Sequence, residues 1–195
     1  MIFLRFYSEK FIWLLVCAAL FAMTHVTNAW LFQHASLSTH ISWVYLPAFL
    51  RVAYVLILGP VWGGVSIFLG SLLLGVAPEE SVFQGLLNSA ASALGPVLAL
   101  GLFKLLKERK LQLASLSDLI QMCLLYALLN AMVHHFCWAY QQPYLLMSAS
   151  QLPIMVIGDL LGALLGAYVF TLFMRRSGLY HLVERLSQDK PPEST

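Results

Sequence analysis

Long apolar runs, punctuated by Pro, Gly and clusters of charge, set the plan of this chain. They fall at approximately 11–30, 41–58, 61–77, 81–103, 117–140 and 151–174, each close to the ~20 residues that an α-helix needs to cross a bilayer. The second and third meet through Gly59-Pro60, a helix-breaking pair that predicts a tight turn. Ser117-Asp118 fits an N-cap at the start of the fifth helix, which makes Asp118 interfacial and structural. The pattern predicts an all-α polytopic membrane protein, a bundle of about six transmembrane helices in a single domain over 1–176. A short polar cytoplasmic tail is expected over 177–195.

Composition agrees with the pattern. Hydrophobic residues make up 60% of the 195 and charged residues 10%, with a mean hydropathy of +0.79, which excludes a soluble domain and a nucleic-acid binder and implies lipid as the surrounding medium. The position of the charges says more than their sum. Arg5 and Lys10 precede the first run, Lys104, Lys107, Arg109 and Lys110 lie between the fourth and fifth, and Arg175, Arg176, Arg185 and Lys190 follow the sixth, so ten of the eleven Lys and Arg fall on one side of a six-span arrangement. The opposite connections, Leu31 to His40, Pro78 to Glu80 and Gln141 to Ser150, carry none. The positive-inside rule then places both termini in the cytoplasm of a bacterial inner membrane. The basic start of the first run and its Thr27-Asn28-Ala29 also resemble a signal peptide, but cleavage would break the charge pattern, so a retained anchor is expected. Cys17, Cys123 and Cys137 lie inside apolar runs without CxxC spacing and read as small core residues.

Against this background the polar residues inside the runs stand out. Asp159, in Gly158-Asp159-Leu160-Leu161-Gly162, is a carboxylate at bilayer depth, where an ionisable group is costly and faces a partner or water rather than lipid. Arg51, the eleventh basic residue, is its expected partner. At 1.5 Å of rise per residue, Arg51 lies roughly 15 Å, Asp159 roughly 12 Å, Asn88 about 10 Å and His134 about 9 Å below the outer ends of their spans. His25, Asn28, Gln84, Asn130 and His135 fall in the same outer half, whereas the inner half is nearly all Leu, Ala, Val and Phe. Every run except the third thus contributes to one polar layer, the pattern of a cavity open to the outside. Arg51, Asp159, Asn88, Asn130 and His134 are the candidate ligand-binding and ion-pair residues. The plain alternative is structural: Asn and His join membrane helices at about 1 kcal/mol each, and a buried ion pair fixes register without adding stability.

Gly158, Gly162 and Gly166 form a small-residue stripe along the sixth helix, with Asp159 rotated about 100° from it, and predict close helix packing or a homodimer contact. Trp30, Trp43, Tyr45, Trp138, Tyr140 and Tyr144 fit an outer-leaflet aromatic belt. His134-His135-Phe136-Cys137 has poor spacing for a metal or haem, because adjacent histidines on a helix diverge by about 100°. Neither cofactor nor metal is expected. The chain also lacks a nucleophile elbow, a His-Glu-x-x-His helix and a P-loop, so it is not read as an enzyme and no catalytic residue is assigned.

From Trp43 onward the order of motifs resembles the membrane-associated sensor domains of the MASE type in bacteria. The matching pieces are Leu46-Pro47-Ala48, Gly59-Pro60-Val61-Trp62-Gly63-Gly64, Phe68-Leu69-Gly70-Ser71, Leu87-Asn88-Ser89-Ala90 and Gly158-Asp159-Leu160-Leu161-Gly162, spread over roughly 43–174. The resemblance implies a helical sensory input and carries that role onto Pro47, Asn88 and Asp159. Family members usually have more spans, often show Trp-Pro-Pro where this chain has Tyr45-Leu46-Pro47, and continue into a kinase or cyclic-di-GMP output domain. Here only a stub of about 20 residues follows the last run. The size and span number are also similar to the substrate-capturing subunits of energy-coupling-factor transporters, with Ala18-x-x-x-Ala22 as a weak counterpart of their small-residue contact.

The leading expectation is a stand-alone sensor-like module that binds a small-molecule ligand in the polar layer and acts through a partner membrane protein. The alternatives are a substrate-binding component of an uptake transporter and an assembly subunit of a membrane complex.

Overall fold

The structure is a computed structural model that describes residues 2–38, 41–74, 81–107, 111, 115–141 and 151–176. The predicted tail over 177–195, the connection Pro78 to Glu80, most of Gln141 to Ser150 with Tyr144, and Arg109 and Lys110 lie outside the described residues. The chain is all-α, with six α-helices among the described residues: α1 (Ile2–Leu31), α2 (Pro47–Ile57), α3 (Gly59–Leu73), α4 (Val82–Lys107), α5 (Leu116–Gln141) and α6 (Gln151–Arg176). One 3-10 turn (Gln33–Ala35) and a two-stranded antiparallel ribbon, β1 (Ser36–Ser38) with β2 (Ile41–Ser42), link α1 to α2.

Six helices were expected and six are present, but only four of them, in α1, α4, α5 and α6, are long and apolar enough to cross a membrane alone. The expectation of six full spans is corrected at α2 and α3. Their 11 and 15 residues amount to about 17 Å and 22 Å of helix, short of a ~30 Å hydrocarbon core. The expected second span, 41–58, is helical only from Pro47. A proline at the first helical position has no N–H to continue the ladder upstream, and the β-branched and aromatic residues before it, Ile41, Trp43, Val44 and Tyr45, favour extended backbone. Gly59, at φ 83°, makes the turn into α3. The fifth helix is capped by Ser115 rather than Ser117: its Oγ accepts the Asp118 N–H at 3.3 Å, and the Asp118 side chain is buried within the protein.

Helix α2 is the centre of the bundle. It packs against each of the other five helices, which follow one another around it in the order α1, α3, α4, α5, α6. Phe21, Ala48, Val52, Val55, Ile67, Phe103, Met122 and Ala163 fill the main core between them. The outward faces are apolar too: Trp13, Met23, Leu98, Leu128, Phe136, Leu164 and Tyr168 are all exposed, which fits helices that meet lipid on the outside. The protein is accordingly a multi-pass membrane protein.

The glycine stripe of α6 has an occupant within the same chain. A Cβ at Gly158 would strike the Ser42 carbonyl, one at Gly162 the Tyr45 carbonyl, and one at Gly166 the Phe49 ring. The backbone from Ser42 to Leu46, and then the Phe49 side chain, therefore lie directly on α6 over about 12 Å. Such irregular backbone is tolerated at membrane depth only when protein satisfies it. Here the Tyr45 N–H donates to the Gly158 carbonyl at 3.1 Å, and the Leu46 N–H donates to Asn28 Oδ1 at 2.8 Å. Because Asn28 is buried near the end of α1, that helix is an integral part of the fold.

Candidate functional site

Arg51 projects from α2 and is 4% exposed, and Asp159 on α6 is 2% exposed. No hydrogen bond joins them directly among the described residues. The guanidinium is held by hydroxyls instead: Nη2 donates to Ser92 Oγ at 2.8 Å and to Tyr45 Oη at 3.1 Å, and Nη1 donates to Tyr126 Oη at 3.4 Å. Its flat faces are met by rings, with Cζ at 4.9 Å from the Tyr45 centroid and 5.6 Å from that of Phe21. The Asp159 carboxylate accepts from Asn130 Nδ2 at 2.6 Å, and Tyr126 is near enough to interact with it. The expected contact ion pair is thus corrected to two separated charges, close enough to interact electrostatically and linked by Tyr126.

The network spreads from there. The Ser92 hydroxyl stands 3.5 Å from His134 Nε2, and His25 Nδ1 stands 3.1 Å from the Tyr45 hydroxyl. Side chains from α1, α2, α4, α5 and α6 join in one layer, with α3 alone outside it. Asn88 is one step removed, accepting the Trp138 indole N–H at 2.8 Å, while Trp138 lies against His134 at 5.2 Å between ring centroids. Of the candidate residues, Arg51, Asp159, Asn130 and His134 therefore belong to one connected set, and Asn88 touches it through Trp138.

Several outer-half residues have other tasks. Gln84 forms a capping box with Ser81 at the start of α4, its Oε1 accepting the Ser81 N–H at 2.7 Å while Ser81 Oγ accepts the Gln84 N–H at 3.2 Å. His135 pairs with the Ala131 carbonyl at 2.9 Å. Tyr45 and Trp138, expected in the aromatic belt, turn inward to the network, whereas Trp30 and Tyr140 are exposed as a belt requires.

Local backbone explains the convergence. Gly95 lets α4 meet α5 at Asn130, since a Cβ there would come within 2.6 Å of Asn130 Oδ1 and 2.9 Å of its Cα. Pro96, inside α4, has no N–H to give the Ser92 carbonyl four residues earlier, so a freed carbonyl lies at the position that supplies the Arg51 partner. The unwound Ser42 to Leu46 stretch brings Tyr45 over the guanidinium. Two interrupted backbones thus flank the two charges.

The layer is packed in this structure: Arg51, Ser92, Asn130, His134 and Asp159 are all buried. Among the described residues, its buried Arg51 Nε and Asn130 Oδ1 have no hydrogen-bond partner. Tyr126 and Ser92 were missed by sequence reasoning, the first because a tyrosine in an apolar run counts as hydrophobic and the second because it sits among the small residues of Ser89-Ala90-Ala91-Ser92. Compared with protein families, with curated proteins and with solved structures, the chain matches none of them.

Proposed function

We propose that this chain is a sensor-like module of a bacterial inner membrane, with both termini cytoplasmic, that binds a small ligand in the Arg51 and Asp159 layer and passes its occupancy to a partner membrane protein. One observation carries the reading: two opposite charges are buried on the central helix and on α6 without touching, and are held only by neutral side chains. Buried charges that make no direct contact are expensive in low dielectric, and intramembrane ionisable residues beside interrupted helices are the usual makings of ligand and ion sites. Because α2 touches every other helix, a ligand that moves Arg51 repositions the whole bundle. Such a shift requires unequal affinity for the two helix arrangements. The likeness of Gly158-Asp159-Leu160-Leu161-Gly162 and its neighbouring motifs to MASE-type sensors adds support, and the one-sided Lys and Arg distribution supports the orientation.

The test is thermal unfolding of the purified protein in nanodiscs against fractionated metabolite extract, followed by uptake of the active fraction into proteoliposomes. A sensor is stabilised by a fraction, loses that response in Arg51→Gln, and accumulates nothing. Asp159-dependent accumulation establishes the transport alternative. Absence of any stabilising fraction leaves the layer as an assembly device.

A further inference from the structure

The ligand-binding reading leaves open which chemistry the layer accepts, and the guanidinium narrows it. Arg carries five N–H donors and no acceptor, and three hydroxyl contacts account for only part of them. Nε is buried and has no partner among the described residues, and the Nη1 contact to Tyr126 is long at 3.4 Å. The groups around Arg51 are Tyr45, Tyr126 and Ser92, all neutral hydroxyls, together with the rings of Tyr45 and Phe21. Asp159, the one carboxylate in the layer among the described residues, already accepts from Asn130. A guanidinium in this setting is a fork whose carboxylate is missing.

We infer that Arg51 receives the carboxylate of a small monoanion, with the two oxygens taken by Nε and one terminal nitrogen. The inference deepens the ligand-binding reading and rests on it. A planar carboxylate matches the spacing of two guanidinium N–H groups and makes charge-assisted bonds about twice as strong as those to hydroxyls. It releases Tyr45 or Ser92 from the terminal nitrogen. Tyr45 is the residue placed to yield: its ring covers the guanidinium, its hydroxyl is shared with His25, and its main chain belongs to the unwound stretch rather than to a helix. The Asp159 charge opposes the incoming anion. Its loss therefore strengthens binding instead of weakening it, an outcome that a purely structural Asp159 does not give.

The experiment titrates sodium acetate and propionate into the nanodisc-embedded protein while following thermal unfolding, with acetamide as the uncharged isostere, methylammonium chloride as the cation and sodium chloride at matched ionic strength. Saturable stabilisation by acetate or propionate alone is expected. Arg51→Gln weakens apparent affinity at least about tenfold, the scale of one lost charge-assisted hydrogen bond. Tyr45→Phe and Asp159→Asn, which leave Arg51 in place, both tighten it. Should acetamide or methylammonium stabilise equally, or should Tyr45→Phe and Asp159→Asn leave acetate affinity unchanged, the carboxylate assignment is overturned. A response to metabolite extract in the same preparation keeps the ligand-binding reading alive in that case; silence toward extract and probes alike removes both.

Discussion

The hydroxyl of Tyr126 meets Arg51 Nη1 at 3.4 Å, and Tyr126 also interacts with the Asp159 carboxylate. One residue thus stands between the two buried charges. Tyr126→Phe keeps the ring in the core and removes only that connection. Hydrogen bonds to charged groups contribute about 1.5–3 kcal/mol, against about 1 kcal/mol for neutral ones. Tyr126→Phe is expected to lower stability by the larger amount and Tyr54→Phe by the smaller, since the Tyr54 hydroxyl only donates to the Cys17 carbonyl at 2.9 Å. Thermal unfolding of both variants in one lipid system checks the order, and equal losses would argue against the bridge.

Removing one charge is more damaging than removing the bridge. Arg51→Ala leaves Asp159 buried with no cation, a situation that costs about 3–5 kcal/mol in comparable pairs. The exchange Arg51→Asp with Asp159→Arg should not restore stability, because each site is shaped for its own occupant: acceptor hydroxyls surround Arg51, and the Asn130 amide donates to Asp159. Recovery of wild-type unfolding by the exchange would show that the two positions act as a simple ion pair.

The glycine stripe makes a sharp contrast. Gly162→Ala drives a methyl group into the Tyr45 carbonyl and should destabilise by more than the ~1–3 kcal/mol typical of overpacking, since backbone on both sides must move. Gly101→Ala, with nothing within 4 Å of its added Cβ, should be neutral or stabilising by up to about 1 kcal/mol through helix propensity. Expression and unfolding of the two variants test this directly.

Asn28 holds the unwound stretch from a distance. Asn28→Ala removes the acceptor for the Leu46 N–H, whereas Asn28→Asp retains an oxygen there. Faster amide exchange at Leu46 and its neighbours is expected in the alanine variant, with a stability loss of about 1–3 kcal/mol for the orphaned donor. Unchanged exchange would place the anchor elsewhere.

Much of this was legible in the sequence, and the failures share one cause. Apolar runs gave all six helices, the Gly158, Gly162 and Gly166 spacing gave a packing face, and helical rise brought Asp159, Asn130, His134 and Arg51 to one level. Each of those inferences depends on local periodicity. The unwinding of Ser42 to Leu46 depends instead on Asn28 and Gly158, residues far along the chain that supply its hydrogen bonds. Pro47 was the one local sign, and apolar length obscured it. Likewise, pairing Arg51 with Asp159 followed from electrostatics, but three hydroxyls near Arg51 outcompete the direct contact, and hydroxyls of Tyr and Ser leave little trace in hydropathy.

The seat of the Ser42 to Leu46 backbone is on α6, more than a hundred residues later in the chain. During synthesis the second hydrophobic segment therefore leaves the ribosome long before its glycine surface exists, and until then the Tyr45 N–H lacks the Gly158 carbonyl. The central helix, early in sequence, must be among the last to settle, and the arrival of the sixth segment becomes the committing step in assembly.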